Sequence, residues 1–180
     1  EGIDGVANPA ANISNAPIEA VENSAPIRVE RYELVADSGG AGESRGGLAV
    51  RRELRYLGES ARLQLRSDRR DHPPFGINGG DPGKPSANLF DTGEEWVELP
   101  TKFVHPLRNG QAIRHTTAGG GGYGDPYTRP TAKVLADVRD GKVSQEAAAR
   151  DYGVAASGPP WRIDNAATDT LRQRRRENRK

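Results

Sequence analysis

Thr116-Thr117-Ala118-Gly119-Gly120-Gly121-Gly122-Tyr123-Gly124-Asp125-Pro126 holds four consecutive glycines. Glycine loses more backbone entropy on ordering than any other residue, and here it has no side chain to pack in return. A folded segment that keeps such a run needs bare backbone, brought close to a ligand or to another stretch of chain. A flexible linker is the competing reading. The flanks oppose it, because Tyr123 offers an aromatic anchor and Asp125-Pro126 a turn. The run therefore reads as an ordered, specific loop.

Glycine is concentrated rather than spread. Fourteen of the 22 glycines fall in three clusters, at 39–47, 76–83 and 119–124. The rest of the 180-residue chain is polar, with 34% hydrophobic residues and a mean hydropathy of -0.78. That is enough for one ordinary domain carrying long ordered loops. Cysteine is absent, which excludes disulfides, thiolate metal sites and a thiol nucleophile, and fits a cytoplasmic location. No apolar run approaches the roughly 20 residues that span a bilayer, so no membrane role is expected. The N-terminus has neither the basic nor the apolar region of a signal peptide. Methionine is absent, and the expectation is a fragment or processed chain whose upstream part lies elsewhere.

Charge is uneven. The stretch 171–180 holds six basic residues and one acid, leaving 20 basic against 24 acidic residues in the body. Such an end reads as a solvated, frayed terminus. Val143–Val154 has the look of the first helix of a helix-turn-helix, but Ala155-Ala156-Ser157-Gly158-Pro159-Pro160 cannot supply a recognition helix, so nucleic acid is not an expected partner.

Alternating apolar residues predict strands over Ile27–Ala36, with a bulge near Arg31, over Leu48–Leu57 and over Ala61–Ser67, and Gly58-Glu59 reads as a hairpin signal between the last two. Trp96–Leu99, Lys102–His105 and Ala112–Thr116 are further short strands. Helical spacing then takes over in Thr131–Arg139, stopped at Gly141, and in Gln145–Tyr152, capped by Ser144 and ended by Gly153. The fold class is α+β: a β-rich core with long glycine-rich loops, then a small C-terminal helical hairpin. The domain reading is an extended segment over 1–26 that continues from an upstream part, the core over 27–128, the hairpin over 129–154, and linker and basic tail over 155–180.

Sites are less legible. His72, His105 and His115 lack metal-pair spacing. His105 and His115 read as ordinary hydrogen-bonded strand residues, and His72, among Asp68, Arg69 and Asp71, as part of a surface ion-pair cluster. No nucleophile elbow, P-loop or dinucleotide fingerprint occurs. The glycine run lacks the Lys-Ser/Thr that follows a phosphate-binding loop.

The order of segments does carry a resemblance. Asn15-Ala16-Pro17-Ile18-Glu19 with Glu22 comes first, then Asp37-Ser38-Gly39-Gly40-Ala41-Gly42 with Arg45-Gly46-Gly47, then Ser67-Asp68-Arg69. Gly76 to Gly83, Gly119 to Pro126, Asp137-Val138 with Gly141-Lys142-Val143-Ser144, Ala147-Ala148 and Tyr152-Gly153-Val154 follow. Over about residues 12–154 this resembles the C-terminal portion of the hydantoinase B/oxoprolinase family. Those are the B-type components of N-methylhydantoinases and the B-like half of 5-oxoprolinases, with related acetone and acetophenone carboxylase large subunits. Ala118 stands where a proline is common.

The resemblance implies an ATP-dependent cyclic amide hydrolase. An actin-like ATPase partner, the hydantoinase A-type subunit, would phosphorylate a carbonyl-type oxygen, and the B-type component would handle the activated species. It implies ATP and a divalent metal for the whole enzyme, none bound by this segment alone, and metal ligands in an N-terminal part outside this chain. The partners are that A-type ATPase, the missing N-terminal part and a small cyclic amide. Gly119, Gly120, Gly121 and Gly122 with Tyr123 and Asp125 are the expected substrate or interface loop. Asp37, Arg45, Asp68 and Arg69 are candidates for ordering the loops, and no catalytic or metal-ligating residue is assigned. A carboxylase-type subunit and a non-catalytic β-rich interaction module are the alternatives.

Overall fold

The computed structural model describes residues 1–5 and 14–177. After a short helix α1 (Ile18–Ser24), the chain runs through β1 (Ile27–Val35), β2 (Ala49–Tyr56), β3 (Ser60–Arg66), β4 (Ala87–Asp91), β5 (Trp96–Glu98), β6 (Lys102–Arg108) and β7 (Ala112–Thr116). Then come α2 (Thr131–Arg139), α3 (Gln145–Tyr152), β8 (Ala156–Ser157), β9 (Arg162–Ile163) and α4 (Asn165–Glu177). The fold is α+β. Five strands form an antiparallel sheet in the order β1-β2-β7-β4-β5, and β3 pairs with β6 in a ladder of its own. The β1–β2 register slips between Val29 and Arg31, at the bulge that the sequence predicts.

The expected β2–β3 hairpin does not form. Both edges of β2 are taken, by β1 and by β7, so β3 has no place beside it. The β2–β7 pair instead continues into the β3–β6 pair as one long ribbon, bent where Leu57–Glu59 faces Asn109–Gly110. The bend is held by Gly110 N donating to Tyr56 O at 2.9 Å, Tyr56 N to Gln111 O at 2.9 Å and Asn109 Nδ2 to Leu57 O at 2.6 Å. Period-2 alternation puts Leu63, Leu65, Phe103, His105 and Leu107 on the inner side of the folded-over half. The rings of His105 and Phe90 meet edge-on, 4.3 Å apart. The other face of the five-stranded sheet is laced with ion pairs. Glu53 takes Arg114 at 2.7 Å, and Arg55 takes Glu30 at 2.6 Å and Asp91 at 3.3 Å.

The three glycine clusters come together beside the sheet. Gly119–Gly124 runs between the other two and exchanges backbone hydrogen bonds with both. Gly40 N donates to Gly120 O and Gly120 N to Gly47 O, each at 2.8 Å. Gly122 N donates to Asp81 O and Ile77 N to Gly122 O, each at 2.9 Å, while Ser44 and Tyr123 bond reciprocally at 2.9 Å. Backbone sits directly on backbone: a Cβ on Gly119 would lie within 3 Å of the Ser38 carbonyl, and one on Gly121 within 3 Å of the Phe75 carbonyl. This arrangement pairs backbone polar groups of three long loops without a regular sheet.

The helical hairpin has the bounds its sequence predicts. Ser144 Oγ accepts from Ala147 N, and Gly153 ends α3 in the left-handed region at φ 61°. Val134, Val138, Val143, Ala147, Ala148, Tyr152 and Val154 form its core, which Ala41 of the first glycine loop joins. Within the stretch read as linker and basic tail, residues 155–177 are structured. β8 and β9 pair, and α4 docks through Thr168, whose Oγ1 accepts from Ala155 N, and through Arg172, whose Nη2 donates to Arg129 O at 2.8 Å. Asp164 caps α4 by accepting from Ala167 N, so a local signal and a docked face together order a segment that charge alone marks as frayed. Likewise, the segment read as extended carries α1, whose side chain Glu22 accepts from Val29 N at 2.8 Å and ties the helix to β1.

Candidate functional site

The sheet brings one pair of expected residues to the glycine run. Asp68 and Arg69, in the loop after β3, share a recess with Gly119, Gly120, Ser67 and His115. Asp68 and Arg69 also border an adjoining recess with His72, Thr101 and Lys102, so the two recesses share these residues and form one groove. The loop is held in place by its backbone. Ser86 Oγ donates to Asp68 O and Ser86 N to Arg69 O, while Ser67 N donates to Thr101 O. Arg69 adopts a left-handed φ of 67°, uncommon outside glycine. The neighbouring Arg70 donates to Leu99 O at 3.1 Å.

His115, which lines this groove, belongs to a cross-strand row. Register places Tyr32, Arg52, His115 and Asn88 side by side on β1, β2, β7 and β4. Arg52 stacks 4.8 Å from the Tyr32 ring centroid and donates to its hydroxyl. Asn88 is buried, and its Nδ2 donates to Ser67 Oγ at 3.0 Å and to Pro100 O at 2.9 Å. The Pro100 carbonyl can only accept, so the Asn88 amide orientation is fixed, and its Oδ1 faces His115 Nδ1 at 2.7 Å. Burial, with a smaller contribution from the Arg52 charge, holds the His115 imidazole below the ordinary histidine range.

The other expected residues turn elsewhere. Tyr123 bridges the outer two glycine clusters, pairing with Ser44 and Ile77, and its hydroxyl accepts from Asn78 Nδ2. Asp125 accepts from Tyr127 N and caps the short 3-10 turn Pro126–Thr128. Gly121 and Gly122 pack against the backbone at Phe75 and Ala41. Asp37 and Arg45 face the helical hairpin. Asp37 Oδ1 accepts from Ser144 N at 2.7 Å. Arg45 pairs with Asp4 at 3.1 Å and with Asp137 at 3.6 Å, and Asp137 also holds the buried Arg129 at 2.8 Å. Glu1 reaches the same Arg129. The sequence alone names Arg45 but not its partners Asp4 and Asp137, and names His115 but not Asn88, because these pairings are assembled by strand register or by contacts remote along the chain.

Among the described residues no group of three or more His, Asp or Glu side chains is placed to hold a metal ion. Among the same residues no helix is long and apolar enough to cross a membrane.

A bent antiparallel ribbon, a backbone-packed bundle of three glycine loops and a helical hairpin define an α+β domain with a groove between ribbon and bundle. The family model of hydantoinase B/oxoprolinase matches residues 1–126, and the chain belongs to that family. It is 34% identical over 176 residues to the B component of a putative D-/L-hydantoinase of Pseudomonas sp. (strain NS671), covering 96% of this chain and 29% of the relative. The crystal structure of the ATP-dependent caprolactamase from Pseudomonas jessenii superposes with a TM-score of 0.78 at 30% identity, over 95% of this chain and 32% of that one. Nucleotide-free acetone carboxylase gives a TM-score of 0.80 at 20% identity, over 98% of this chain and 28% of that one, which is a likeness of fold. The chain thus spans less than a third of the length of these relatives.

Proposed function

We propose that this chain is the C-terminal part of a hydantoinase B-type protein that opens a cyclic amide hydrolytically, in a cytoplasmic complex with a hydantoinase A-type ATPase. The observation that carries this reading is the 34% identity to the B component of a putative hydantoinase across 96% of the chain. The caprolactamase at 30% identity supports the same reaction class, since a lactam is a cyclic amide. Carboxylation is the weaker reading, because acetone carboxylase shares the fold at only 20% identity.

The chemistry asks for two parts. An amide is a poor electrophile, and phosphorylation of its oxygen supplies a leaving group. In this reading the ATPase partner and the N-terminal part of the B-type protein provide nucleotide, metal and phosphoryl transfer. This chain contributes the groove at Asp68, Arg69, His115 and Gly119–Gly120, and the surface around Tyr123 meets the neighbouring parts of the complex. The test is reconstitution of the whole B-type protein with its ATPase partner. ATP-dependent release of the ring-opened product is expected, an amino acid from 5-oxoproline or caprolactam and an N-carbamoyl amino acid from a hydantoin. Absence of turnover on all of them, with ATP and a divalent metal supplied, rejects the reading.

A further inference from the structure

His115 presents an acceptor that no described residue uses. Because Asn88 Oδ1 must accept, His115 Nδ1 carries the proton in the neutral ring, and Nε2 carries the lone pair. Nε2 has no hydrogen-bond partner among the described residues, and His115 lines the recess with Arg69. Arg69, exposed on the same recess, makes no ion pair or hydrogen bond through its side chain among those residues. One wall is the Gly119–Gly120 stretch, where only bare backbone is present. A fixed neutral acceptor, an unpaired cation and a side-chain-free wall therefore meet in one place.

We infer that His115 Nε2 and Arg69 form a binding pair for a small planar ligand that carries an anionic group next to an N–H or O–H donor. Arg69 takes the anion and His115 Nε2 accepts from the donor. Asn88 acts as a positioning residue, because its two other hydrogen bonds leave His115 a single tautomer. Arg52 faces His115 from β2, Arg69 and Asp68 of the loop after β3 line the same recess, and β4 contributes the neutral Asn88. Burial and the Arg52 charge disfavour a cationic imidazole, which keeps Nε2 an acceptor near neutral pH. A cyclic amide bearing a carboxylate has these two features side by side. To that extent the inference rests on the proposed function and sharpens its substrate class.

The chain has three histidines, so selective 15N labelling of their rings gives a readable spectrum. The expected result is a protonated Nδ1 and an unprotonated Nε2 at His115. Titration with 5-oxoproline should shift the His115 Nε2 signal and leave that of His105 in place. Replacing the probe by 2-pyrrolidinone, which lacks the carboxylate, should weaken the response about fivefold, and so should Arg69→Gln, a change at an exposed side chain. An Nε2-protonated tautomer, no shift with 5-oxoproline, or an unchanged response in Arg69→Gln overturns the inference. Turnover by the reconstituted enzyme with kcat and KM unaltered in His115→Gln would reject this pair alone. Binding at His115 without turnover on any cyclic amide would reject the proposed function alone.

Discussion

Asp4 grips the Arg45 guanidinium with both carboxylate oxygens, Oδ1 to Nη1 at 3.1 Å and Oδ2 to Nη2 at 3.2 Å. The same carboxylate accepts from Leu48 N at 2.9 Å and lies 3.4 Å from the Lys142 ammonium. Arg45 and Arg129 are both buried, and Asp137 is the buried acid between them. One carboxylate cannot balance two desolvated guanidiniums, and Asp4 provides much of the remaining negative charge.

Asp4→Asn keeps the shape and removes that charge. It should cost about 3 kcal/mol, read as a lower urea midpoint, because a buried guanidinium is left under-compensated. The pH dependence has a definite sign. Burial opposes the Asp4 charge, but hydrogen bonds from Arg45 and Leu48 outweigh it and hold the carboxyl below its ordinary range. A carboxyl with a lower folded than unfolded pKa stabilises above its unfolded pKa, near 4, and that contribution is lost as pH falls through the folded value. The wild-type chain should therefore lose stability below about pH 4 more steeply than Asp4→Asn does.

The glycine bundle makes a contrast between two kinds of glycine. Gly121→Ala places a methyl within 3 Å of the Phe75 carbonyl, between the adjoining Gly120, Gly122 and Pro74, whose backbones are hydrogen-bonded into the bundle. That should cost more than about 3 kcal/mol, since neither segment can move without breaking its own bonds. Gly141→Ala meets nothing within 4 Å, and its penalty comes from its φ of 69° alone. About 1 kcal/mol is expected there. Thermal melts of the two variants distinguish close approach from backbone strain.

These cases mark what a one-dimensional reading can reach. The bounds of α2 and α3 are legible because their caps are local: Ser144 at one end, and Gly141 and Gly153 where left-handed backbone is needed. The demand for bare backbone at Gly119–Gly122 is legible too, but its partners are not, because they are the other two glycine clusters. The ribbon bend at Gly58 looks like a hairpin in one dimension, since nothing nearby tells that β7 will occupy the edge of β2. His115 passes as an ordinary strand residue. Its meaning depends on Asn88, which lies in β4, a short strand that no alternation marks in advance.

His115 should titrate below its ordinary value near 6.5. Burial is the main cause and the Arg52 charge the second, so Arg52→Gln should raise the pKa without fully restoring it. The folded state resists a proton that the unfolded chain accepts below about pH 6.5. Stability should accordingly fall as pH drops from about 6.5 towards the folded pKa, and this limb should vanish in His115→Gln. NMR titration of the ring and urea melts across pH 5 to 7 give the two readouts.

Asp37 separates a conformational role from a hydrogen-bonding one. It sits at φ 59°, and its Oδ1 accepts from Ser144 N at 2.7 Å, fastening the start of the first glycine loop to the turn before α3. Asparagine tolerates left-handed backbone and keeps an acceptor oxygen, so Asp37→Asn should change stability by less than about 0.5 kcal/mol. Asp37→Gly keeps the conformation but loses the acceptor, leaving Ser144 N without this partner at a cost of about 1 kcal/mol. Asp37→Ala loses the acceptor and adds left-handed strain, which together should reach about 2 to 3 kcal/mol. Urea denaturation of the three variants should rank them Asn, Gly, Ala in increasing cost. Equal losses in Gly and Ala would mean that the hydrogen bond alone holds this junction, and a large loss in Asn would mean that the negative charge beside the α3 N-terminus is what matters.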